Sequence, residues 1–94
     1  MINNNSVQKK LNDIFNKTFD ISLNSINEEL FERSLLGDFF CFEPIDLVCL
    51  YMEVEKIFNI SIPQEYIAEN KFNTINNIKK IIIMQLGQEE VIIS

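Results

Sequence analysis

Apolar residues recur along this chain mainly at intervals of three or four, which is the spacing of one face of an α-helix. Four segments show the pattern, and it predicts helices at about 6–19, 44–58, 64–69 and 74–86. No alternation of polar and apolar residues is long enough to predict a strand. The pattern predicts an all-α fold, a small four-helix bundle with a short third helix, in one domain over residues 1–94.

The first and last predicted helices each have a single apolar stripe. Asn and Ser residues precede the first helix, Asn73 or Thr74 precedes the last, and such residues cap helix N-termini. We expect Gly87 to end the last helix. The stripes comprise Val7, Leu11, Ile14, Phe15 and Thr18 in the first helix, and Ile75, Ile78, Ile82 and Leu86 in the last.

The segment from Asp20 to Phe42 separates the first two helices and has no clear periodicity. A loop of this length in a small domain needs apolar anchors of its own. Cys41 stands among phenylalanines and is expected to be a buried filler. The expected anchors, on a short helical turn, are Leu30, Phe31, Leu35 and Leu36.

The second predicted helix begins in the sequence FEPIDLV. Proline suits the first position of a helix, so Pro44 is expected there. Glu43 and Asp46 place negative charge at the positive end of the helix dipole. At 3.6 residues per turn, one arc of this helix should face the core. It comprises Leu47, Leu50, Tyr51, Val54, Ile57 and Phe58.

A second apolar strip, formed by Ile45, Val48 and Met52, lies roughly opposite that arc. A surface helix of a monomer needs only one apolar stripe, so the second one requires an explanation. Two explanations are open at this point. The long loop folds over the strip, or the strip is a docking surface for another protein.

Charge and composition narrow the class of partner. The chain carries a net charge of −6, and residues 21–70 hold ten acidic residues against only Arg33 and Lys56. Such a surface repels nucleic acid and anionic membranes and favours basic protein surfaces. The longest apolar run, 81–84, is too short to span a bilayer, and the first ten residues lack the apolar stretch of a secretory signal. We therefore predict a cytoplasmic protein with a protein partner.

The chemistry available to the side chains argues against catalysis. The chain has no histidine, and its two cysteines, Cys41 and Cys49, do not form a CxxC pair. A structural zinc site needs four soft ligands, and a Ser or Cys nucleophile needs a neighbouring base. We expect no metal, no enzyme activity, and an inert role for Cys49.

Residues 43–63 resemble the acyl carrier protein family of phosphopantetheine-bearing domains. In that family a motif Asp-Ser-Leu-Asp opens the second helix and is followed by a pattern like V-E-L-x-M-x-(L/V)-E-x-x-F-x-I-x-I-P. The corresponding residues here read EPID, then VCLYMEVEKIF, then Ile60 and Ile62-Pro63. Weaker similarity extends the match to roughly residues 6–86. The resemblance implies the carrier fold, with a long loop between the first two helices.

The departures from the family pattern bear on function. Pro44 stands where the family has its attachment serine, and it has no hydroxyl to esterify. Glu43 replaces an aspartate, while Cys49 and Lys56 replace two of the usual acids on the partner-facing side. We therefore expect no phosphopantetheine. The alternative is a working carrier with its prosthetic group on a displaced serine, Ser34.

The resemblance implies that partner enzymes recognise the second helix. We expect a non-catalytic docking or adaptor module, similar to the acyl-carrier-related proteins of bacterial peptide maturation systems, that presents this helix to a modifying enzyme with a basic surface. The other alternative is a homodimeric regulatory bundle, so the chain is expected to be a monomer or weak dimer. The predicted partner-binding residues are Glu43, Ile45, Asp46, Val48, Cys49, Met52, Glu53 and Glu55.

Overall fold

Four α-helices form most of the computed structural model, which describes the backbone of residues 4–93 and the side chains of residues 6–87. Two 3₁₀ helices, Leu23–Ser25 and Glu28–Glu32, lie in the long segment after the first α-helix, and the described residues contain no strand. The prediction of an all-helical protein with a short third helix is therefore confirmed. The α-helices are α1 (Asn4–Phe19), α2 (Pro44–Phe58), α3 (Glu65–Ala68) and α4 (Ile75–Ile93).

Helix α1 packs against both α2 and α4 through its predicted stripe. Val7, Leu11, Ile14 and Phe15 are buried, but Thr18 is exposed, contrary to the prediction. The reason lies in the last turn of the helix, where Phe19 takes over the contact with the core. Its ring centroid lies 4.6 Å from that of Phe42 and 5.9 Å from that of Phe15.

The linker between α1 and α2 is tethered through its backbone. The Leu23 amide donates a hydrogen bond to the Asn12 side-chain carbonyl at 2.7 Å, and the Leu35 amide donates to the Asn73 carbonyl at 2.7 Å. Buried Phe31 and Leu35 anchor it, as predicted, and the second 3₁₀ helix packs against α4. Leu36 is 41% exposed and is not the anchor that we expected.

Cys41 is exposed, so the prediction that it fills the core is wrong. It has a positive φ of 57° and lies between Phe40 and Phe42, both of which are buried. This backbone conformation lets both neighbouring rings turn inward while the cysteine turns outward. Its thiol donates a hydrogen bond to the Asp38 carbonyl at 2.9 Å.

Helix α2 begins and ends at residues suited to those positions. Pro44 is its first residue, and the Asp46 carboxylate accepts a hydrogen bond from the Glu43 amide at 2.8 Å. Asn59 ends the helix in the left-handed conformation, which asparagine tolerates better than most residues. Of the predicted core arc, Leu47, Leu50, Val54 and Phe58 are buried and Tyr51 is half-buried.

Ile57 is the exception in that arc, because its side chain is 43% exposed. It lies at the edge of the arc and lines a shallow groove between α1 and α2 together with Lys10, Lys17 and Glu53. Periodicity predicted the buried face of α2 correctly but made that face too wide, because it included Ile57.

Helix α4 begins as predicted, because the Thr74 hydroxyl accepts a hydrogen bond from the Asn77 amide at 3.1 Å. Ile75, Ile78 and Ile82 are buried, and Ile81 joins them. The prediction that Gly87 ends the helix is wrong, because α4 continues to Ile93 and Gly87 does not have a positive φ. No helix within the described residues is long and apolar enough to span a membrane.

Gly87 offers a direct test of this longer helix. A methyl group added at its Cα would have no atom within 4 Å apart from its chain neighbours and the backbone of its own helix, so Gly87→Ala should cause no clash. Alanine costs less backbone entropy than glycine in a helix, and we expect the variant to gain about 0.5–1 kcal/mol in unfolding free energy. Urea denaturation followed by circular dichroism measures the change. A gain of zero would show that the helix ends before this position.

Candidate functional site

The apolar strip of α2 is open to solvent. Ile45 is 63% exposed, Met52 61% and Val48 41%, while Leu50 and Val54 on the opposite side are fully buried. The long linker packs elsewhere and does not cover the strip. Of the two explanations left open by the sequence, the structure therefore eliminates burial beneath the linker.

Acidic residues border the strip on both sides. At about 3.6 residues per turn, Asp46 and Glu53 lie along one edge and Glu55 lies on the other. These three side chains are half-buried, whereas Glu43, just before the helix, is exposed. Cys49 and Lys56 are also exposed and lie between the strip and the Glu53 edge. The predicted partner-binding residues thus share one surface of α2, although the Asp46 carboxylate already accepts a hydrogen bond from the Glu43 amide at the helix N-terminus.

A groove between α2 and α3 continues this surface. Its volume is about 590 Å³, and Val48 and Met52 belong to both the strip and the groove. Sequence reasoning missed the part that α3 plays here, because a helix of four residues is too short to show periodicity. The lining residues are Val48, Tyr51, Met52, Gln64, Glu65, Ile67 and Ala68.

Two side chains of α2 hold the segment that leads into α3. The Glu55 carboxylate accepts a hydrogen bond from the Ile62 amide at 2.8 Å, and the Tyr51 hydroxyl donates to the Ile62 carbonyl. The Tyr51 ring also contacts Phe72 edge to face at 5.8 Å. We call Tyr51, Glu55 and Ile62 the clamp. The clamp holds the chain just before α3, and half-buried Tyr66 and Ile67 of α3 pack against the core, so both contribute to the position of the α3 wall of the groove.

The Tyr51 hydroxyl of the clamp keeps its proton and can donate a hydrogen bond. Partial burial, followed by the charge and hydrogen bonding of the nearby Glu55 carboxylate, raises the pKa of Tyr51 above its usual value of 10.0. A tyrosine is already protonated in the neutral range, and the raised pKa means that this hydroxyl keeps its proton to higher pH than an ordinary tyrosine does. Glu55, predicted to contact a partner, also has this internal role.

The structure describes both residues that were considered from the sequence for phosphopantetheine attachment. Pro44, which aligns with the attachment serine in the resemblance, begins α2 and has no hydroxyl. Ser34, the alternative, lies in a tight turn in which its hydroxyl accepts from the Leu36 amide at 3.2 Å and its carbonyl accepts from the Gly37 amide at 3.0 Å. A side chain at Gly37 would approach that carbonyl oxygen to 3.1 Å, so the turn would have to shift by a few tenths of an ångström to accept one.

The arrangement is suited to recognition through side chains. No group of three or more Cys, Asp or Glu side chains within the described residues is placed to hold a metal ion. What α2 and α3 offer is a continuous apolar surface with acidic borders.

When the chain was compared with protein-family models, with curated proteins and with solved structures, no match was found in any of the three comparisons.

Proposed function

We propose that this protein is a non-catalytic docking module with an acyl-carrier-like fold. It presents α2 to a modifying enzyme in the cytoplasm, an enzyme of peptide maturation being the first candidate, and it carries no phosphopantetheine. The observation that supports this most directly is the exposure of Ile45, Val48 and Met52 on a helix whose opposite face is fully packed.

The exposed strip supports docking on energetic grounds. Keeping apolar side chains in water costs free energy that burial against a partner would recover, at about 25 cal/mol per Å². Contiguous apolar patches on monomers commonly mark interaction sites. The strip and the adjoining groove together form such a patch, since Val48 and Met52 belong to both.

The charge pattern supports a basic protein surface as the partner. Residues 21–70 carry ten acids against two bases, and four of those acids lie on or just before α2. Complementary charge speeds encounter and excludes wrong partners more than it adds affinity. A surface of this size with charge steering suits a transient complex.

Docking through the strip can be tested with Met52→Asp. A buried aspartate in the interface would lose its hydration without a partner, so capture of the partner enzyme from host lysate should fall below detection. Ile57→Asp is the matched control, because Ile57 is also an exposed apolar residue of α2 but lies outside the strip. Both variants should keep the helical circular dichroism of the parent. Unfolding of Met52→Asp, or equal capture by both variants, would disprove the proposal.

The absence of a prosthetic group is tested by intact mass. After incubation with a phosphopantetheinyl transferase and coenzyme A, the mass of the protein should be unchanged, because Pro44 cannot form the phosphoester. A mass increase of one phosphopantetheine would establish the carrier alternative instead. Loss of that increase in Ser34→Ala would then locate the attachment.

A further inference from the structure

We propose that the partner contributes an amphipathic helix that lies over the groove between α2 and α3, with one apolar stripe bordered by lysine or arginine on the side that faces α3. This inference rests on the proposed docking function and specifies the partner's chemistry. The first observation that supports this proposal is that the strip and the groove form one continuous apolar surface. Val48 and Met52 form one wall, Ile67 and Ala68 form the other, and an apolar stripe laid between them would contact both.

The backbone explains why a helix is the fitting occupant. A bound strand needs a sheet edge with free amides and carbonyls, and the described residues contain no strand. Helices α2 and α3 use their backbone groups internally, so they present side chains to a partner. Recognition by side chains in a groove between two helices is the mode in which amphipathic helices bind.

The length of the surface sets the size of the partner helix. Ile45 and Met52 are seven residues apart on α2, which corresponds to about 10 Å along the helix axis. A partner helix of about three turns would cover this distance with apolar residues at i, i+3 or i+4, and i+7.

Charged residues of α2 and α3 determine which residues are favoured beside the apolar stripe of the partner helix. Glu65 lies at the α3 wall of the groove and is exposed, while Glu53 lies on the far edge of α2. Glu65 favours a basic residue on the border of the partner helix that faces α3. On the other border, exposed Lys56 lies nearer the strip than Glu53 and offsets its charge. The net charge of −6 disfavours a second copy of this chain as the occupant, because like-charged molecules repel one another.

The test uses a synthetic peptide of about 18 residues, with leucine at the stripe positions and lysine elsewhere. We expect chemical-shift changes in ¹⁵N-labelled protein to centre on Val48, Met52, Ile67 and Ala68, and binding to weaken as salt increases. A peptide of the same composition with scrambled order and a leucine–glutamate peptide serve as controls. Equal binding of either control peptide, shifts centred elsewhere, or self-association through the groove would overturn the proposal.

A variant of the α3 wall separates this inference from the docking function. Ala68→Lys places a positive charge in the groove without touching the strip, so it should weaken peptide binding about tenfold or more. Asn24→Lys makes the same charge change at an exposed linker position and should leave binding unchanged. If Ala68→Lys still captures the partner enzyme while Met52→Asp does not, docking through the strip stands and the groove inference fails. If neither variant reduces capture, docking through α2 fails as well.

Discussion

Replacing Phe31 with alanine should lower the unfolding free energy by about 3–5 kcal/mol, the usual cost of removing a buried phenylalanine. Phe31 is 1% exposed, in a linker that the sequence pattern leaves without regular structure. It packs in the core where the second 3₁₀ helix meets α4, and the Lys79 ammonium lies 5.8 Å from its ring centroid. Because small domains have a total stability of about 5–15 kcal/mol, this one side chain should account for a large share of it.

Phe39→Ala is the matched control for that result. Phe39 belongs to the same linker but is 48% exposed, and its main contact is with the Phe40 ring at 4.9 Å. We expect it to cost no more than about 1.5 kcal/mol, the value of an aromatic pair. Urea unfolding monitored at 222 nm measures both variants. Similar losses for the two would contradict the packing of the linker described above.

Replacing Glu55 with alanine should cost about 1–3 kcal/mol and should also displace α3. The change removes the acceptor for the Ile62 amide, and Ile62 is only 2% exposed, so the amide would be left without a partner in a buried setting. Because this bond holds the chain just before Pro63 and α3, we also expect chemical-shift changes at Ile67 and Ala68. Denaturation and amide spectra provide the two measurements.

Two further variants identify the hydrogen bond as the cause. Glu55→Gln keeps an oxygen that can accept from Ile62, so it should retain most of the stability. Glu53→Ala removes a carboxylate from the same helix at a position that has no hydrogen bond or ion pair within the described part of the chain, and it should change stability by less than about 0.5 kcal/mol. A loss for Glu53→Ala as large as that for Glu55→Ala would mean that general charge, and not the clamp, is responsible.

The helical elements could be predicted because their apolar residues repeat with the period of the helix. Val7, Leu11 and Phe15 show this in α1, and Leu47, Leu50 and Val54 show it in α2, all of them buried. The errors occurred where a residue lies at the border of a stripe or in the last turn. There, exposure depends on the neighbouring element, which the period of a single helix does not describe.

Irregular segments were harder to predict. Cys41 stands in an apolar run with phenylalanines on both sides, and this run suggested that the cysteine was buried. The backbone at Cys41 is left-handed, so its side chain turns outward while Phe40 and Phe42 are buried. Cysteine is not among the residues that favour this conformation, so the sequence does not predict it.

The site was predicted in part. The strip of Ile45, Val48 and Met52 follows from the spacing of apolar residues along one helix, and the structure shows that it is exposed. The groove beside it depends on how α3 lies against α2. That position depends on the packing of Tyr66 and Ile67 against the core and on hydrogen bonds from Tyr51 and Glu55 to the Ile62 backbone, and such side-chain contacts with a peptide group have no signature in sequence.

The hydrogen bonds between segments that are distant in sequence have a consequence for how this protein folds. The Leu35 amide of the linker is paired with Asn73 just before α4, and the Lys79 ammonium of α4 donates to the side chain of Gln8 in α1, 71 residues away. These bonds form only after the distant segments have met, so the entropy of closing a long loop is lost before they contribute. Folding should therefore proceed in one all-or-none step, with a rate limited by contacts that are distant in sequence, and slower than in bundles built from helical hairpins.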